Sequence, residues 1–147
     1  MPPVPDFQHV LLRKATQDLR AAETLASFDS LHAEAIGFHC QQAIEKAMKA
    51  VLESRGVRYP LSHDLVVLIA MLAPDPQGCP VSVEDALSLN PFAVRFRYDD
   101  LPERDDPEEP FDRAEAVRLA SIAVAWASAL IDPQTKADEP EKPAPKG

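Results

Sequence analysis

The stretch Phe38–Gly56, FHCQQAIEKAMKAVLESRG, decides the fold. Its apolar residues Cys40, Ala43, Ile44, Ala47, Met48, Val51 and Leu52 recur at helical spacing. With Ile36 they form the buried face of a helix that starts near Asp29 or Ser30 and runs to about Ser54. Gly56 supplies the stop, because a glycine takes the left-handed conformation at a helix end without strain. Gln42, Glu45, Lys46 and Lys49 lie opposite, and Glu45 and Lys49 form an i,i+4 pair in the favourable order. Gln41 falls at the margin of the apolar arc, between Met48 and Leu52. Phe38 is a large aromatic on the charged face, which points to a contact with another segment or subunit.

Working toward the N-terminus, residues from about Asp6 to Ser27 repeat the pattern, with Phe7, Leu11, Leu12, Ala15, Leu19, Ala22 and Ala26 in one stripe. Asp18 lies inside that stripe, so a carboxylate is expected among apolar neighbours. Toward the C-terminus, a short helix carries Leu65, Leu68, Ile69 and Leu72, with Ser62 as its cap and Asp64 in its first turn. A second short helix begins at Ser82 and is stopped by Pro91. The last helix runs from about Asp112 to Ile131, with Asp112 capping it and Glu115 at the capping-box position. It carries no charge after Arg118, which predicts burial on most sides. The expected organisation is a single domain over residues 1–132, followed by a disordered tail over 133–147, whose composition cannot offset its ordering entropy.

The 147 residues suit one domain, and the 46% hydrophobic and 27% charged content is that of an ordinary globular chain. A net charge of −9 argues against non-specific binding to nucleic acid, which needs lysine and arginine along the phosphates. The two cysteines, Cys40 and Cys79, form no CxxC pair and read as reduced, buried thiols of a cytoplasmic protein. The opening MPPVPDFQHV has no signal-peptide pattern, and the apolar run Leu119–Ile131 is too short to span a bilayer, so no membrane association is expected.

The run QQAIEKAMKA, followed by HDLVVLI and RFRYDD and preceded by KATQDLRAAETLA, resembles the HEPN family. The resemblance covers roughly Asp6 to Ile131. It implies an all-α, up-and-down bundle of about five helices, similar to the C-terminal helical domain of kanamycin nucleotidyltransferase and often a homodimer. It further implies a separately encoded minimal nucleotidyltransferase as partner, frequently in a toxin–antitoxin pair, with a nucleotide as the proposed ligand. A subset of the family cleaves RNA.

In the nuclease members the signature is an arginine, four to six residues, then a histidine. Arg58 and His63 satisfy that count. No metal is required: the histidine moves the proton of the 2′-hydroxyl or of the leaving oxygen, and the arginine neutralises the growing phosphorane charge. Against this, Pro60 interrupts the segment, SHDL reads as a helix cap, and no histidine follows His63. Cap-and-loop structure is the favoured reading, with an Arg58–His63 endoribonuclease as the alternative. RFRYDD offers Arg95, Arg97, Tyr98 and Asp99 as a nucleotide- or partner-binding set, since arginine forks onto phosphate and tyrosine stacks on a base. The competing reading, which is favoured, closes the bundle through pairs such as Asp18 with Arg95 or Arg97. His32 and His39 are seven apart, not the four that suits a metal site on one helix, and read as solvent-exposed or interface residues. No metal or cofactor is expected.

Overall fold

The computed structural model describes residues 6–28, 33–73, 78–95 and 112–133, of which 93–95 by backbone alone. Five helices follow one another: α1 (Phe7–Ala26), α2 (Ala33–Ser54), α3 (Leu65–Leu72), α4 (Val83–Arg95) and α5 (Arg113–Ile131). Among the described residues there is no strand. The expected all-α bundle is therefore the observed one.

Helix α2 is the axis. It packs against each of the other four, while α1 also touches α5 on one side and α3 touches α4 on the other. Ala43, Ala47 and Ala50 are fully buried, and their small side chains let neighbouring helices approach closely. Ile36, Ile44, Met48, Val51 and Leu52 fill the space between. This central position overturns one expectation. Gln42 and Glu45, assigned to a solvated face, are buried at 6% and 3% exposure. A helix surrounded on several sides has little solvent face to give them.

The C-terminus of α2 closes as expected. Gly56 has φ +71°, its N–H donates to the Glu53 carbonyl at 3.1 Å, and the Val57 N–H donates to the Leu52 carbonyl at 3.0 Å. These two bonds satisfy carbonyls that the helix leaves open.

The cap of α3 differs from expectation. The Asp64 side chain, not Ser62, accepts from the Val66 N–H at 2.9 Å, and the Ser62 hydroxyl accepts from the Asp64 N–H at 3.0 Å. His63 therefore precedes the helix and does not lie in its first turn. Asn90 of α4 completes the junction, accepting from the Leu65 N–H and donating to Asp64, both at 2.9 Å.

Pro91 does not stop α4, which continues to Arg95. Proline frees the carbonyl four residues earlier, at Leu87. Leu87 is on the exposed side, where water can take that bond. Beyond Pro91, Phe92 is anchored in the core at 7% exposure. Its ring lies over Gly37 of α2, where an added Cβ would meet ring carbons at 2.5–2.7 Å. Gly37→Ala is expected to cost about 2 kcal/mol in overpacking, offset in part by the ~1 kcal/mol better helix propensity of alanine. Urea unfolding should show net destabilisation that disappears in a Phe92→Ala background.

Helix α5 is capped by Asp112, which accepts from the Glu115 N–H at 3.0 Å. By length and composition it could cross a membrane. In the bundle it buries Ala116, Leu119, Ala120, Ala123, Val124 and Ala127, while Ser121 and Ala125 are exposed. The expected burial on most sides is thus confined to one face, because small residues make a helix apolar without requiring that every side be covered.

Candidate functional site

Where the middle of α2 meets the segment leading into α3, a polar cluster is built around one carboxylate. Gln41, Glu45 and Lys49 stand four residues apart and so share one stripe of α2. Lys49 Nζ donates to Glu45 Oε2 at 2.8 Å, and Gln41 Nε2 donates to Glu45 Oε1 at 3.2 Å. Gln42 Nε2 donates to Gln41 Oε1 at 2.7 Å. His63 Nδ1 lies 3.0 and 3.2 Å from the two Glu45 oxygens. The Glu45 side chain is only 4% exposed and that of Lys49 12%, whereas that of His63 is 52% exposed. A buried carboxylate thus holds an accessible imidazole.

The backbone of His63 is held by the same turn of α2. Gln41 Nε2 donates to the His63 carbonyl at 2.9 Å. Gln41 therefore bonds across from α2 to the segment before α3, which fixes their relative register. Tyr59, on the same segment, donates from its hydroxyl to Glu53 at 2.9 Å, and Lys49 Nζ lies 5.8 Å from its ring centroid, within cation–π range. Burial and the Glu53 carboxylate push the Tyr59 phenol up to about 12. Every buried side-chain N or O among the described residues has a partner.

Of the two residues with nuclease spacing, His63 is thus integrated into the cluster. Arg58 is exposed, and its side chain makes no hydrogen bond or ion pair among the described residues. Arg95 ends α4, and nothing is described of its side chain. Arg97, Tyr98 and Asp99 lie outside the described residues, as does His32.

Asp18 is indeed held within the bundle, by residues of α2; the expected pairing with Arg95 or Arg97 falls on side chains outside the described residues. Its carboxylate lies 2.9 Å from His39 Nδ1 and accepts from Lys46 Nζ at 2.7 Å, with a side chain 13% exposed. This pins α1 to α2, and it makes His39 a partly buried bridging residue instead of a fully solvent-exposed one. Among the described residues no group of three histidine, cysteine or acidic side chains could hold a metal ion. Cys40 is buried and free, and Cys79 is free and only partly buried.

Sequence reasoning placed Glu45, Gln42 and Lys49 on a solvated face and so missed the cluster. The signal was present in the four-residue spacing of Gln41, Glu45 and Lys49, one turn after another along α2. It needed the knowledge that another segment covers that stripe.

A central helix packed against four others makes this a small all-α bundle. A family model described as the HEPN domain matches residues 8–124, and the chain belongs to that family. Comparisons with curated proteins and with solved structures return no match.

Proposed function

We propose that this HEPN chain is a non-catalytic binding module that works with a separately encoded minimal nucleotidyltransferase, as the toxin of a toxin–antitoxin pair. It takes a nucleotide or an RNA phosphate at the segment containing Arg58 and His63. Arg95, Arg97, Tyr98 and Asp99 form a second set of contacts. A homodimer is part of the proposal and is checked by light scattering at micromolar concentration. Family membership supports the partner and the ligand class.

The observation that favours binding over catalysis is the state of Arg58. A catalytic arginine is aimed in advance at the charge that grows in the transition state. Arg58 is exposed, and no neighbour among the described residues orients it. Such a side chain can meet a phosphate on arrival, at the entropic cost of ordering itself. Calorimetry with common nucleotides is expected to give micromolar binding that Arg58→Ala weakens. No heat with any nucleotide removes the reading.

One observation favours a second reading, a metal-independent endoribonuclease. His63 is accessible and its Nδ1 is held by a buried carboxylate, the arrangement that orients a general base. It predicts RNA cleavage without added metal that is lost in His63→Ala. Cleavage at an unchanged rate in that variant ends the assignment.

A further inference from the structure

We propose that Glu45 is a positioning residue for His63: it holds the Nδ1 proton, so that the neutral ring offers Nε2 as a hydrogen-bond acceptor to a ribose hydroxyl of the bound nucleotide. The ligand half of this inference rests on the binding reading above; the tautomer half does not.

Both Glu45 oxygens lie within 3.2 Å of His63 Nδ1. An ionised carboxylate only accepts hydrogen bonds, so the proton is on Nδ1. A neutral imidazole has one N–H, which leaves the lone pair on Nε2. Lys49 Nζ donates to Glu45 Oε2 at 2.8 Å and holds the carboxylate from its other side. Gln41 fixes the ring from the other end, through the His63 carbonyl at 2.9 Å. Side chain and backbone of His63 are therefore referenced to a single turn of α2. No hydrogen bond to Nε2 occurs among the described residues, and the side chain is 52% exposed.

The chemistry of Nε2 then selects the ligand group. Phosphate oxygens are acceptors and gain nothing from a lone pair. Arg58, five residues earlier on the same exposed segment, suits the phosphate. A ribose hydroxyl is a donor and suits Nε2.

The test has two arms. Nitrogen-15 NMR of the imidazole rings, on wild-type protein where the ring is neutral, is expected to show His63 as the Nδ1–H tautomer. The Nε2–H tautomer, which free histidine favours, overturns the proposal, and this arm does not depend on any variant folding. In the second arm, calorimetry compares AMP with its 2′,3′-dideoxy analogue. Wild type is expected to prefer AMP about tenfold, the worth of one well-placed hydrogen bond, and in Glu45→Gln the ratio is expected to fall toward one. Equal binding of the two ligands by wild type overturns the ribose contact while leaving the binding reading intact. No heat with either ligand removes the binding reading and the ribose contact together.

Discussion

Lys49→Met is expected to destabilise the protein by about 3 kcal/mol, the cost of leaving a buried charge without its partner. Methionine keeps most of the apolar stem of lysine and so isolates the charge. Glu45 is 4% exposed and cannot recruit water in its place. The remaining hydrogen-bond partners are Gln41 at 3.2 Å, Gln42 at 3.5 Å and His63 at 3.0 Å, and neither amide carries a charge. Urea unfolding of Lys49→Met against wild type measures the loss. The double variant Glu45→Met/Lys49→Met is expected to recover most of it, because an apolar pair of similar volume often replaces a buried ion pair without penalty. A loss below about 0.5 kcal/mol in the single variant would place this pair with exposed ion pairs, which contribute little. The conclusion that Glu45 is the centre of a buried cluster would then be wrong.

That cluster also marks how far the sequence could be read. Helix α2 was legible because Ile36, Cys40, Ala43, Ala47 and Val51 recur at a helical period and Gly56 terminates it. Both features depend on local backbone geometry. The environment of Gln42 and Glu45 was not legible, because it depends on how many neighbours the helix acquires. Asp18 shows the same division. A carboxylate inside an apolar stripe signalled a partner, but its identity depends on the register between α1 and α2. That register brings Lys46 and His39 to Asp18. At the start of α3, Ser62 and Asp64 are both good caps two residues apart, and local preference does not choose between them. Asn90, reaching from α4 to the Leu65 N–H and to Asp64, contributes to the choice. At Pro91 the local rule for a helix stop was overridden by tertiary packing of Phe92 on Gly37.

The site divides along the same line. The count from Arg58 to His63 is a one-dimensional fact and was found. The residues that give His63 its character are Glu45, eighteen positions earlier, and Gln41, twenty-two positions earlier. Only the packing of the segment against α2 makes them neighbours.

Alkaline pH is expected to remove stability through Cys40, which lies on α2 directly before Gln41. Its side chain is fully buried, and burial pushes the thiol from 9.0 up to about 12. In the unfolded chain the thiol ionises near its ordinary value, while the folded protein retains the proton. Between those values the unfolded state binds fewer protons than the native one, so stability falls as pH rises. The contribution is fully present below about pH 9 and is lost by about pH 12. A rise of about three, at about 1.4 kcal/mol per pH unit, gives a loss on the order of 4 kcal/mol at the top of the window. Tyr59 acts in the same direction, since its phenol is also raised. Cys79 does so as well, raised by burial against the opposing bond from the Val81 N–H. Urea midpoints measured from pH 8 to 11 are expected to fall steeply in wild type and less steeply in Cys40→Ala. Parallel slopes for the two proteins would show that the Cys40 thiol ionises as readily in the native state as in the unfolded one. A thiolate there would need water to reach the interior of α2, one residue from the glutamine that holds His63. An α2 that admits water at Cys40 could not keep Glu45 dry, and the basis for the Lys49→Met prediction would fail with it.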